Sequence, residues 1–503
     1  MSRKLWALAL ATSLTPTGMA LAKTPYDGVW IFDHADPRPG VTMVQVASEG
    51  TRITGAVTTL WYGPVTMQNA RLDKGVLTFE VKNLNDREHP VQTWTLRRTA
   101  KGVQLGGKMW FSDIAEGGRR GTVREAEARA FRAQALPAWK EVAQLPLAPT
   151  PPMGWSSWNK FGEKIDDATI RAMADAMVST GLRDAGYRYI NIDDGWQGTR
   201  DADGRIRPNA KFPDMKALTD YVHAKGLKIG IYSSQGPRTC AGYEGSYGHV
   251  RQDAQSYADW GFDYLKYDLC SGEYFYDSAD TVKRSYAEMG AALEATGRPI
   301  IFSLCEYGRF DVGSWGRLVG GHLWRTTGDI TDDYKTMAQI GFDKNGKAEY
   351  AGSNGFNDPD MLEIGNGGMS EDEYRTHMTL WAMSAAPLLM GHDLRQTPPA
   401  MLKLLENREV IAVDQDARGI QGKAVRKDGT LEIWAKPLAD GSVALALFNR
   451  GDAAARMSAT AADAGFSAIS AVRNLWTGGT HTADALGFDV PSHGVVMLRV
   501  EGK

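Results

Sequence analysis

Lys266 and Asp268 stand one residue apart in Tyr264-Leu265-Lys266-Tyr267-Asp268-Leu269-Cys270. With Phe262, the front of this stretch predicts a short buried strand of aromatic and aliphatic residues. Alternation along a strand puts the ammonium and the carboxylate on one face. An ammonium nearby favours the ionised carboxylate, and a carboxylate nucleophile must be ionised. A structural ion pair at a strand end would look the same in isolation, so the rest of the chain decides.

Other acids follow apolar runs in the same manner. Asp193-Asp194 follows Tyr189-Ile190-Asn191-Ile192, and Glu306 follows Phe302-Ser303-Leu304-Cys305. Tyr232 ends Lys228-Ile229-Gly230-Ile231, Trp324-Arg325 leads to Asp329, and Asp358-Pro359-Asp360 follows Phe356-Asn357. Carboxylates accept paired hydrogen bonds from vicinal hydroxyls, and aromatic rings pack on the apolar side of a pyranose. Glycoside hydrolysis needs two carboxyl groups at the scissile bond. Asp268 is the natural nucleophile; on these grounds the acid could be Asp193, Asp194, Glu306, Asp329 or Asp360. The paired acids could also hold a divalent cation, but there is no His cluster, and Lys266 and Arg325 already bring positive charge. We expect no metal and no cofactor. No Gly-x-Ser-x-Gly elbow follows a strand, which argues against a serine hydrolase.

The elements that would carry these residues form a (β/α)8 barrel. From 153 to about 418 the pattern runs strand, helix, strand, helix, and the polar residues fall at strand C-termini, where such barrels keep their chemistry. A doubly wound open sheet is the alternative, but no Gly-rich phosphate loop follows the first strand. The chain of 503 residues exceeds one core. Its expected parts are a signal peptide (1–22), an N-terminal all-β accessory domain (23–121), a helical and Pro-rich linker (122–146), the catalytic barrel (147–418) and a C-terminal antiparallel β-domain (419–503). Residues 122–142 are rich in Ala, Glu and Arg and predict a helix. Trp30, Trp61, Trp94 and Trp110 in the first domain could stack on sugars if exposed, or pack an accessory core.

Arg3 and Lys4, the apolar run Leu5 to Leu14 and Ala20-Leu21-Ala22 read as a cleavable export signal, so a secreted or periplasmic protein is expected. The net charge of −3 gives no basis for a nucleic-acid or anionic-membrane partner. Export permits disulfides. Of Cys240, Cys270 and Cys305, the first two are the preferred bridge and Cys305 the buried thiol.

These residues carry a resemblance. Thr150-Pro151-Pro152-Met153-Gly154-Trp155-Ser156-Ser157-Trp158-Asn159, Ile192-Asp193-Asp194-Gly195-Trp196, Gly230-Ile231-Tyr232 with Thr239-Cys240, the Lys266-Tyr267-Asp268 stretch, Trp324-Arg325-Thr326-Thr327-Gly328-Asp329 and Asn357-Asp358-Pro359-Asp360-Met361-Leu362 resemble glycoside hydrolase family 27. The resemblance implies a retaining exo-α-galactosidase with Asp268 as nucleophile and Asp329 as acid/base. It implies sugar contacts at Trp158, Asp193, Asp194, Tyr232, Lys266, Arg325 and Asp360, with Asp193 and Asp194 on the C4 and C6 hydroxyls, and a Cys240–Cys270 bridge. The carbohydrate is the only partner it implies, and it leaves the N-terminal domain unassigned. The family usually shows Cys-Glu-Trp where this chain has Cys305-Glu306-Tyr307. Glu306 is expected to meet a 2-hydroxyl, which disfavours an N-acetylgalactosaminide. Two acids at 193 and 194 favour galactose over an arabinopyranose. The alternatives are one of those glycones on the same barrel, or a sugar-binding protein without turnover.

Overall fold

The computed structural model describes residues 23–33, 41–59, 64–82, 91–109, 112–129, 134–482 and 486–503. The expected signal segment, Trp61 and Trp110 lie outside them. The chain divides into two compact units, with the boundary after Phe131.

In the second unit eight parallel strands lie side by side: β1 (Met153–Ser156), β2 (Tyr189–Asn191), β3 (Lys228–Ser234), β4 (Tyr264–Asp268), β5 (Ile301–Cys305), β6 (Leu323–Arg325), β7 (Phe356–Asp358) and β8 (Leu388–Met390). Each neighbours the next in sequence from β1 to β7, and β8 pairs with β1. Leu362, just beyond β7, bridges Met390 of β8 and closes the ring. This is the expected barrel, and the open sheet is excluded. Helices Asp167–Ser179, Met215–Ala224, Val250–Trp260, Ala279–Ala295 and Glu371–Met383 cover its outside. Between β5 and β6 the crossover uses only short turns of tighter helix, Arg309–Ser314 and Gly316–Leu318.

Strand alternation sorts the barrel interior into layers. Tyr189, Tyr264, Ile301, Leu323 and Phe356 close the bottom with Ala148 and Ala385. Two residues on, Asn191, Lys266, Ser303, Arg325 and Asp358 line a polar cavity. Leu265, Tyr267 and Leu269 face outward into the core shared with the helices. Tyr264, Lys266 and Asp268 therefore share the inner face, as alternation predicts. Gly230 of β3 leaves the room this layer needs, since a Cβ there would lie 2.1 Å from Asn191 Oδ1.

The C-terminal part is antiparallel. Lys423–Asp428, Leu431–Pro437, Val443–Asn449, Val495–Gly502, Ile469–Asn474 and Thr480–His481 form one sheet, and Ala455–Ser458 pairs with Gly487–Val490 in another. The barrel helix Glu371–Met383 starts in a capping box between Ser370 and Glu373. It packs against this domain: Trp476 Nε1 donates to Thr379 Oγ1 at 3.0 Å, and Lys436 Nζ to the Ala382 carbonyl at 2.9 Å.

The described residues of the first unit form one antiparallel sheet of nine strands. Its edge strands, Val65–Thr66 and Gln68–Asp73, are separated by Met67 alone, so the sheet curls round to meet itself. Trp30 and Trp94 are fully buried and serve as core residues; they offer no stacking face to a sugar. Among the described residues, the helix expected over 122–142 is found only at Val123–Arg129. The described residues 134–142 are not helical. Pro137 sits in that stretch and cannot donate a helical N–H, which outweighs the helix-favouring composition.

Candidate active site

Trp158, Asn159, Asp193, Asp194, Tyr232, Cys240, Lys266, Asp268, Tyr307, Arg325, Asp329, Asp360 and Met361 line a cleft at the C-terminal mouth of the barrel with about 390 Å³ of open space. Nine of the ten residues expected to act or bind here are thus brought together. Glu306 is not. It is fully buried beneath the loop after β5, where Oε1 accepts the Gly308 amide at 3.3 Å. Strand alternation explains the difference. Cys305 faces inward beside Asp268, so Glu306 turns away, and the left-handed Tyr307 (φ 63°) and Gly308 (φ 74°) swing the Tyr307 ring back into the cleft.

Lys266 shares the cleft with Asp268 and its charge favours the ionised Asp268, as expected, but its ion pair is made elsewhere. Its Nζ lies 2.9 Å from Asp193 Oδ2, so its direct partner is Asp193 on the neighbouring side of the barrel rather than Asp268. Burial works against the ammonium, but Asp193 and Asp268 together hold Lys266 charged, well above its usual range. The Asp193 amide donates to Ser157 Oγ at 2.9 Å, and Asp193 Oδ1 accepts the Asp194 amide at 2.9 Å. Asp194 accepts the Ala241 amide on Oδ2 at 2.7 Å. Its other oxygen, Oδ1, is buried without a protein partner. Burial pushes the Asp194 carboxyl up to about 7. A buried acceptor left open costs free energy unless something donates to it, and a hydroxyl in the cleft would.

Asp268 is 3% exposed, at the tip of β4. Burial raises its pKa, while the Lys266 charge and a hydrogen bond from Tyr307 oppose that rise. Asp329 stands at the mouth with its side chain 66% exposed. Arg325 bridges it to the floor: Nη2 lies 3.0 Å from Asp329 Oδ1 and 3.0 Å from Asp360 Oδ2. For Asp329 the protein crowding around the cleft mouth pushes upward, but the Arg325 and Lys266 charges win and hold it below the usual range. Asp360 has a left-handed backbone (φ 86°) and also accepts the Ile330 amide on Oδ2 at 2.9 Å. Such a conformation in a non-glycine residue costs about 1–3 kcal/mol and persists where surrounding contacts fix it.

Cys240 and Cys270 form a disulfide with Cα atoms 5.1 Å apart, and Cys305 is a buried thiol. Cys240 itself lines the cleft, and Tyr232 Oη donates to its sulfur at 3.1 Å. Among the described residues the one cluster of potential metal donors is Cys240, Asp268 and Cys270. Its sulfurs are spent in the disulfide and supply no thiolate. The bridge spans 30 residues, so Cys240→Ser/Cys270→Ser is expected to cost about 3–4 kcal/mol. Because Cys270 follows Asp268 by two residues, the variant should also lose activity at temperatures where it remains folded. Thermal unfolding followed beside residual activity checks this.

Asn159, Met361 and Tyr307 were not among the expected contacts. Asn159 and Met361 directly follow Trp158 and Asp360, so adjacency within the motifs was the available signal. Asn159 Nδ2 is held by Glu363 Oε1. Tyr307 stands where the resemblance breaks.

Comparison with known proteins places this geometry. The family model described as alpha galactosidase A matches residues 150–416, and that of the alpha galactosidase C-terminal beta sandwich domain matches 428–500. An alpha-galactosidase of Cyamopsis tetragonoloba is 47% identical over 364 residues, 71% of this chain and 87% of that one. Alpha-galactosidase A of Cellvibrio japonicus is 46% identical over 381 residues, 70% of this chain and 92% of that one. The crystal structure of alpha-galactosidase I from Mortierella vinacea superposes with a TM-score of 0.68 at 35% identity, over 71% of this chain and 98% of that one.

Proposed function

This chain belongs to the alpha-galactosidase (melibiase) family of glycoside hydrolases, and we propose that it is an exported, retaining exo-α-galactosidase releasing terminal α-galactosyl residues from oligo- or polysaccharides. The carrying observation is the arrangement of two carboxyl groups: Asp268 buried at the floor and Asp329 exposed at the mouth of one cleft. A terminal sugar would sit over Asp268 with its hydroxyls on Asp193, Asp194, Lys266, Arg325 and Asp360, and its glycosidic oxygen toward Asp329. An Asp268 oxygen bonds to the anomeric carbon as the glycosidic bond breaks. The bond electrons go to the leaving oxygen, which takes the Asp329 proton. Water then adds to the anomeric carbon, its proton passing to Asp329, and Asp268 leaves as carboxylate.

The Asp268 pKa is raised and that of Asp329 lowered, the reverse of their roles. Position decides between them. Asp329 is exposed only until a sugar covers it; losing that water raises its pKa, while the bound hydroxyls draw on Arg325. The acids interact across one cleft and titrate as a coupled set.

The test is hydrolysis of p-nitrophenyl α-galactoside beside the α-N-acetylgalactosaminide and the β-L-arabinopyranoside, with the first-formed anomer read by proton NMR. α-Galactose as first product supports the reading; β-galactose, or preference for another glycone, overturns it. With Glu306 outside the cleft, Tyr307 is the nearer candidate to discriminate a 2-hydroxyl from a 2-acetamido group. Asp194→Ala should raise KM by roughly 10- to 100-fold, the worth of one or two charge-assisted hydrogen bonds, with Ki for galactose rising in parallel. For export, the secreted product should begin at Lys23. No described helix is long and apolar enough to cross a membrane.

A further inference from the structure

Oδ1 of Asp268 accepts the Leu269 amide at 2.7 Å, the Cys270 amide at 3.3 Å and the Tyr307 hydroxyl at 2.7 Å. Among the described residues no N–H or O–H group hydrogen-bonds to Oδ2; the Cys305 thiol, a weak donor beside Asp268, is the one further group that reaches this carboxylate. We infer that Tyr307 is a positioning residue for the nucleophile: with the two amides it fixes Oδ1 and leaves Oδ2 as the oxygen that attacks. The inference rests on the reading of Asp268 as nucleophile and deepens it.

The proton assignment follows from the two amides. An oxygen that accepts two backbone N–H groups carries no proton of its own, so the Tyr307 O–H is the donor. If Asp268 takes up a proton, it sits on Oδ2 and blocks attack. Tyr307 reaches this position through its left-handed backbone (φ 63°), followed by Gly308, where a Cβ would lie 2.1 Å from the Thr326 carbonyl. The turn is tied down by the Gly308 amide donating to the Arg325 carbonyl at 3.0 Å. Strain of this kind is kept where surrounding contacts fix it.

The hydroxyl then acts differently on the two steps. When Oδ2 bonds to the anomeric carbon, Oδ1 becomes the ester carbonyl oxygen and loses its share of negative charge. When water displaces the sugar, the C–Oδ2 bond electrons return to the carboxylate and the hydrogen bond strengthens again. Tyr307 therefore favours the carboxylate over the ester. It speeds breakdown of the glycosyl-enzyme and keeps the resting nucleophile ionised.

The test uses Tyr307→Phe and, should that variant fold poorly, Tyr307→Trp, which fills the space without a hydroxyl. In protein carrying 13C-labelled aspartate carboxyls, the Asp268 signal, assigned by its loss in Asp268→Asn, should titrate higher by roughly half a pH unit or more. With p-nitrophenyl α-galactoside, kcat and KM should fall together as glycosyl-enzyme accumulates, and the acid limb of kcat/KM should move up. An unmoved carboxyl titration overturns the inference, as does a lower kcat with unchanged KM and pH limb, the signature of a merely structural role. The titration needs no turnover. Wild-type protein inactive on α-galactosides would therefore sink the proposed function while this assignment is still decided.

Discussion

Asp268→Ala and Asp268→Asn are each expected to lower kcat on p-nitrophenyl α-galactoside by about 10^4-fold or more, the scale seen when the group forming the covalent bond is removed. Asp329→Ala should behave differently. Its first step needs little protonation for a nitrophenolate leaving group, so the loss should be small there and large for a galactosyl sugar. Azide separates the two roles by stereochemistry. In Asp268→Ala it enters from the face the carboxylate used and should give β-galactosyl azide. In Asp329→Ala it attacks the covalent intermediate from the other face and should give α-galactosyl azide. Exchanged products would reverse the two assignments, and normal turnover by Asp268→Asn would remove Asp268 from the chemistry. Asp268→Asn controls for folding, because it keeps a side-chain oxygen for the Leu269 amide.

The layered barrel was legible because strand alternation has a fixed period. Tyr264, Lys266 and Asp268 face inward in the sequence and in the structure alike. What alternation within one strand cannot give is a partner carried by another strand. Lys266 reaches Asp193, 73 residues away in sequence just beyond the end of β2, with β3 lying between the two strands. Glu306 and Tyr307 exchange places for a local reason of the same kind. Nothing in Cys305-Glu306-Tyr307 announces a left-handed turn except the following Gly308, so Glu306 was expected in the cleft and Tyr307 was not. Residues 134–142 show composition overruled by one proline, Pro137. The choice of Asp329 among five acids came from the family resemblance. Its exposed position opposite a buried Asp268 supplies a physical reason for that choice.

Arg325 ties the acid at the mouth to the floor, and its loss should have two separable effects. The guanidinium is buried, with Nη2 also donating to the Gly328 carbonyl at 2.8 Å. Arg325→Leu strands the Asp360 carboxylate without its counter-charge, and breaking a buried pair in this way costs about 3–5 kcal/mol at neutral pH. Burial already raises the Asp360 pKa, with Arg325 opposing. Without Arg325 it rises further. An acid whose folded pKa lies above its unfolded value destabilises the fold once pH exceeds the unfolded value, about 3.9. The stability deficit should therefore be small at pH 4 and grow toward pH 7, as read from denaturant unfolding at both. Arg325→Leu/Asp360→Leu should recover most of it, since apolar replacement of both partners removes the stranded charge. The second effect is kinetic. Arg325 holds Asp329 below the usual range, so in Arg325→Leu the Asp329 pKa rises and the alkaline limb of residual activity should move to higher pH. An equal deficit at pH 4 and pH 7 would mean that Arg325 acts through packing alone. An unmoved alkaline limb would separate it from the proposed acid/base role of Asp329.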